Sequence, residues 1–212
     1  MSITTRLLNA IGLERRTDTF DTYWPNFSSL RTGTVNPATA QGVSAVYGCV
    51  SSISETVASL PLILFKRTGD DRERATDHPL YRVLHDQANP EQTALEFREL
   101  MQANVLLRGN AFARIVRGLD GQVTELWPIN PDRMKVLRVG AALAYEATEG
   151  DGTVRRYLAH EILHLRHRIG DDGVMGVSPI AAARGVVELA IAENDHGTSP
   201  FNHGAKMLGV LQ

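Results

Sequence analysis

The chain has 212 residues, 43% of them hydrophobic and 22% charged, with a formal net charge of −2. That is enough polypeptide to bury a real core in one domain with extensions, and it lacks the positive excess of a protein that holds nucleic acid by charge alone. Cys49 is the single cysteine, which excludes an internal disulfide framework and points to a reducing compartment.

Residues 1–14, "MSITTRLLNAIGLE", set Ile3, Leu7, Leu8 and Ile11 on one face and predict a short amphipathic helix without the continuous apolar stretch of a signal peptide. "RRTDTFDTYWPNFSSLRTGTVNP" carries Phe20, Tyr23, Trp24 and Phe27 without periodicity, an irregular arm of the kind that lies against another surface. Pro37 opens and Pro61 closes a predicted helix with Val43, Val46, Tyr47, Val50, Ile53, Val57 and Leu60 at three- and four-residue steps. Its other positions are mostly Gly, Ser and Ala, so a neighbouring backbone can approach closely, and Cys49 among them is expected to be a buried structural thiol. "LILFKR" (62–67) reads as a strand ended by Gly69-Asp70-Asp71. The longest apolar run, "LPLILF" (60–65), is too short to cross a bilayer, so a soluble chain kept inside its cell is expected.

"HPLYRVLHDQANP" (78–90) predicts a helix from Pro79 that stops before Pro90. In "TALEFRELMQANVLLRG" (93–109), Thr93 and Glu96 form a capping box and Gly109 is the stop. From residue 111 the period changes to two: "AFARIVR", the turn "GLDG" and "QVTELWP" predict a hairpin, and "MKVLRV", "LAYEAT" and "TVRRYL" an antiparallel meander. Ser178-Pro179 starts a helix running to Gly197, and a second small unit, "SPFNHGAKMLGVLQ", follows. That unit stops inside an apolar, strand-like run, so a truncated chain is expected.

"LAHEILHLRHR" contains His160-Glu161-Ile162-Leu163-His164, the H-E-x-x-H spacing of a zinc protease. Such a site needs both histidines on one helix face, with Glu161 as base and a third ligand further along. Here Leu163, Leu165, His167 and Ile169 alternate with His164, Arg166 and Arg168, which is strand periodicity. On a strand the two histidines would stand roughly 13 Å apart, too far for one ion. The expectation is a strand whose polar face carries His164 and Arg166. Phosphate loops, nucleophile elbows and paired cysteines are absent from the sequence. No catalytic residue, cofactor or metal ligand is assigned, and a zinc hydrolase or a nucleic-acid-binding module stand as the alternatives.

Several ordered segments carry a resemblance: "HPLYRVLHDQANP", "LLRGNAFA", "LWPINPDRM", "EILHLRH" and "GVSPIAAAR". From Val43 to Leu211 the chain resembles the portal proteins of tailed bacteriophages, in the branch named for phage HK97, where "EILHLRH" is an ordinary strand before the "G-x-S-P-I" helix. The resemblance implies an α+β fold of antiparallel strands packed with several helices. Residues 1–35 would be a helix and arm, and 36–212 a wing-like domain, with stem, clip and crown largely missing. It further implies a homo-oligomeric ring, expected to be a dodecamer, at the capsid vertex of a virion assembled in the bacterial cytoplasm. Double-stranded DNA would pass through the ring, which would dock the large terminase, the major capsid protein and head–tail adaptors, with no enzyme activity and no membrane partner. A near-neutral chain suits a conduit that must not grip its duplex. Only Lys66, Lys135 and Lys206 are lysines among 22 basic residues, and arginine and aromatics suit subunit contacts. Tyr23, Trp24 and Phe27 are the expected anchors of the arm on a neighbouring subunit or the shell.

Overall fold

Asn36 begins the first helix by taking the N–H groups of Ala38 and Thr39 on its side chain, both at 2.9 Å, while Thr39 returns a bond to the Asn36 N–H. The structure is a computed structural model that describes residues 13–15, 35–140, 142–150 and 152–203, with side chains described from 35 to 197. Its elements in order are β1 (Leu13–Arg15), α1 (Pro37–Gln41), α2 (Ser44–Ser59), β2 (Phe65–Thr68), β3 (Asp71–Arg74), α3 (Pro79–His85), β4 (Gln87–Asn89) and β5 (Gln92–Thr93). Then come α4 (Ala94–Arg108), β6 (Asn110–Arg117), β7 (Val123–Ile129), β8 (Met134–Val139), β9 (Ala142–Thr148), β10 (Val154–Leu158), β11 (Ile162–Arg166), α5 (Pro179–Ala182) and α6 (Arg184–His203).

Two antiparallel sheets and a helical layer are stacked around β6. A three-stranded sheet has the order β11-β6-β7, and a four-stranded sheet β1-β8-β9-β10. Alternation along β6 decides which layer each residue serves. Ala111 and Ala113 face α3 and α4, where Val83, Phe97, Met101 and Val105 form a core with Leu126. Phe112 faces the meander and joins Met134, Tyr145, Ala147, Tyr157 and Ile162 in a second core. The two alanines leave room for α4 to lie close, and Phe112 fills the gap between sheets. A third cluster ties α1 and the start of α2 to α6 through Ala40, Val43 and Val187.

The hairpin, the meander and helix α4 match the sequence expectations, including the Thr93–Glu96 box and Gly109 in the left-handed region at φ 76°. Several expectations are corrected. The helix expected from Pro37 to Pro61 breaks at Gly42-Val43, because Val43 is extended and turned into the cluster with Val187. The strand expected over 62–67 starts at Phe65 and pairs with β3, which the sequence did not signal. Helix α3 ends at His85 because Ala88 and Asn89 are buried against β7, the Asn89 amide donating to the Leu126 carbonyl at 2.9 Å. Helix α6 runs through Gly197 to His203, so Ser199–His203 belong to it rather than to a second unit. One helical glycine costs only about 1 kcal/mol, too little to stop a helix. Leu13–Arg15 is a strand paired with β8 rather than the end of a helix. The remaining expectations for residues 1–12, 16–34 and 204–212 lie outside the described residues, as do Tyr23, Trp24 and Phe27.

Candidate functional site

Glu161 and His160 do not face His164. Both sit in a single 3-10 turn, Ala159–Glu161, and His164 lies in the strand that follows. Glu161 is occupied as a turn cap, its carboxylate accepting the Leu158 N–H at 2.7 Å. His160 is exposed. The H-E-x-x-H spacing therefore falls across a turn and a strand, and the face-sharing that zinc ligation needs does not arise.

The expectation of His164 on a polar face is corrected as well. Its ring is half-buried between the two sheets, stacked on Phe112 at 4.3 Å and edge-on to Tyr145 at 5.7 Å. Strand pairing places it directly opposite Phe112. Nε2 meets Asn110 Oδ1 at 3.0 Å and Nδ1 meets the Tyr145 hydroxyl at 3.3 Å. Asn110 Oδ1 also accepts the Gly176 N–H at 2.7 Å, which fixes the amide's orientation. Nε2 must then be the protonated nitrogen and Nδ1 the acceptor from Tyr145. Burial first, and then the Arg166 charge, hold the His164 pKa at about 4, with Asp172 opposing them. A neutral imidazole with both nitrogens engaged is a structural pin.

What the pin fastens is the approach to the last helices. Asn110, 5% exposed, donates to the Gly176 carbonyl at 2.9 Å while accepting the Gly176 N–H, so one side-chain amide holds the two peptide groups that flank Gly176. The Gly109 carbonyl accepts the His167 N–H at 2.8 Å. A Cβ on Gly109 would stand 2.6 Å from the Gly176 oxygen, the Val177 carbonyl carbon and the Ser178 nitrogen. Ser178 caps α5 through the Ala181 N–H at 3.2 Å and donates its hydroxyl to the Leu107 carbonyl at 2.9 Å. Helices α5 and α6 thus leave a rigid platform in a set direction. Gly109 was legible as a helix stop, but nothing in the sequence pairs Asn110 with Gly176, 66 positions away.

Two arginines work inside the fold. Arg98 gives its guanidinium to the Ala58 carbonyl at 2.7 Å and the Leu84 carbonyl at 2.9 Å, closing the C-terminal ends of α2 and α3. Arg108 holds Asp132 through two bonds, at 2.9 and 2.7 Å, and keeps that carboxyl below its usual range. The small residues of α2 do receive a close neighbour, since Ser54 and Ala58 are buried and α2 packs on α4. Cys49, expected to be buried, is exposed. Among the described residues there is no group of three or more His, Cys, Asp or Glu able to hold a metal ion, and no helix long and apolar enough to cross a membrane.

Comparison with known proteins places these features. A family model described as phage portal protein matches residues 44–212. The portal protein of Enterobacteria phage HK97 is 36% identical over 171 residues, which cover 80% of this chain and 40% of that protein. Among solved structures, a chain in the neck of an empty GTA particle superposes with a TM-score of 0.68 at 24% identity, over 85% of this chain and 53% of that one. A chain in the neck of a native GTA particle computed with C12 symmetry superposes with a TM-score of 0.64 at 22% identity, over 100% of this chain and 57% of that one. The chain thus spans 40% of the HK97 portal protein and a little over half of these two solved chains.

Proposed function

The chain belongs to the phage portal protein family, and on that basis we propose that it is a structural subunit of a ring at one vertex of a phage-type capsid. The ring is the channel for double-stranded DNA during packaging and ejection, and the platform on which the large terminase, the capsid shell and head–tail adaptors dock. Residues 36–212 form a wing-like part of it, and residues 1–35 are an arm that reaches a neighbouring subunit through Tyr23, Trp24 and Phe27. The observation that carries this proposal is the 36% identity to the HK97 portal protein over 171 residues. The arrangement around His164 supports a part that acts by packing, since its titratable and polar groups are consumed in fixing the fold. Electron microscopy of the purified gene product, with mass spectrometry of particles from producing cells, tests the proposal. Rings and incorporation at the vertex are expected. A product that forms no rings and enters no particle would overturn it.

A further inference from the structure

Helix α2 turns Ser54 and Ala58 inward and leaves Ile53, Val57 and Leu60 outward, while Val46 packs against the cluster of Ala40, Val43 and Val187. Ser54 and Ala58 face the core at 2% and 0% exposure, whereas Ile53, Val57 and Leu60, on another side of the helix, are 46%, 39% and 60% exposed. Glu55 is the one charged residue in its 16. The apolar run continues through Leu62 into Phe65, both exposed, where the β2–β3 hairpin begins. All eight strand residues of that hairpin are exposed. Its register, Phe65 opposite Arg74 and Arg67 opposite Arg72, gathers three arginines and a phenylalanine on one face. Lys66, Thr68, Asp71 and Glu73 take the other face.

This arrangement is costly for a lone subunit. Like charges directly opposite destabilise a strand pair, and a two-stranded hairpin by itself is marginal in water. The apolar stripe amounts to something on the order of 500 Å², a size at which exposed patches mark interaction sites. It would supply most of the ~800 Å² that each partner contributes to a standard interface. We infer that the α2 stripe, with the arginine face of the β2–β3 hairpin at its edge, is the surface on which a second copy of this chain packs. The composition selects a protein partner: charge is depleted from the centre, and aromatic and arginine side chains stand at or beside it. The centre carries no cation with which to neutralise phosphates. A second copy is the partner because a ring requires each subunit to offer one surface to a different surface of the next. The inference rests on the portal proposal above and goes beyond it by assigning the contact.

Cys49, exposed and one helical turn before Ile53, is a built-in reporter. The test takes this chain with Leu60→Glu, Ile53→Glu and, as the conservative variant, Leu60→Met, and follows mass by light scattering, alkylation rate at Cys49 and thermal melting. The wild type and Leu60→Met are expected to be oligomeric with Cys49 alkylated at least tenfold more slowly than in the glutamate variants. Those variants should be monomeric and still melt cooperatively, because the substituted positions are exposed. Oligomers of unchanged mass in both glutamate variants would overturn the assignment while leaving the portal proposal standing. So would a monomeric wild type with freely reactive Cys49, if the gene product still enters particles. A wild type that forms no rings and enters no particle brings down the portal proposal itself.

Discussion

Asn110 uses every capacity of its amide: its oxygen takes Gly176 N–H and His164 Nε2, and its nitrogen donates to the Gly176 and Arg108 carbonyls. Replacing it with alanine leaves buried groups unpaired on three residues. A loss of about 2–4 kcal/mol is expected, read as a lower urea midpoint with an unchanged slope. His164 beside it gives stability a pH dependence whose sign follows from its folded pKa of about 4, below the 6.5 of an ordinary histidine. The unfolded chain binds this proton more readily, so stability is lost as pH falls from 6.5 towards 4, with no further loss from this group below that. Discounted for partial exposure, the effect is of order 1 kcal/mol. His164→Leu should flatten the stability profile in that window, and a slope identical to wild type would remove His164 as its source. In the sequence His164 looked like a surface residue. Period two correctly placed it on a strand, but periodicity cannot tell that the face so defined meets a second sheet.

At the scale of elements, the best-read pieces are those whose ends are closed by their own neighbours. The Thr93–Glu96 box binds in both directions, at 2.8 and 3.2 Å, and the chain leaves α4 through Gly109. Both signals lie within a few residues and survive any context. Gly109 carries a second duty that the sequence hid, the close passage of the Gly176–Ser178 backbone. Gly109→Ala therefore combines a left-handed backbone with a backbone clash, and should cost about 3 kcal/mol or more. Thermal melting and proteolysis of the 167–178 loop measure that loss; a shift no larger than for an alanine placed at the open Gly121 would contradict the close packing. The misread elements fail for the opposite reason. The break at Val43 and the early end of α3 are each set by a partner far along the chain, Val187 in one case and Leu126 in the other. Helix α2 shows the same limit, since its periodicity is legible but which of its faces is covered is not.

For the molecule as a whole, three layers share strand β6, and helices α5 and α6 depart from a junction locked at Asn110, Gly109 and Gly176. In the ring proposed above, such a junction would hold the last helices at a set angle to the sheets. The arm is the other feature that acts at this scale. Deletion of residues 16–34, which spares strand β1 and Val35, should lower the yield of rings and of particles that contain the protein, while leaving the melting temperature within a few degrees. Sedimentation and particle counts give the comparison, and unchanged assembly would remove Tyr23, Trp24 and Phe27 as anchors.

By itself the sequence determined the class and order of most elements, the caps of α4, the strand character of the H-E-x-x-H stretch, and, through ordered motifs, the portal family. These are properties of neighbouring residues, or of patterns that persist along the chain. Only the tertiary structure decided which face of each element is inside, that His164 is a neutral pin, and that the apolar side of α2 is open. Those outcomes depend on what packs across the layer, and the free energy of burial is indifferent to separation along the chain.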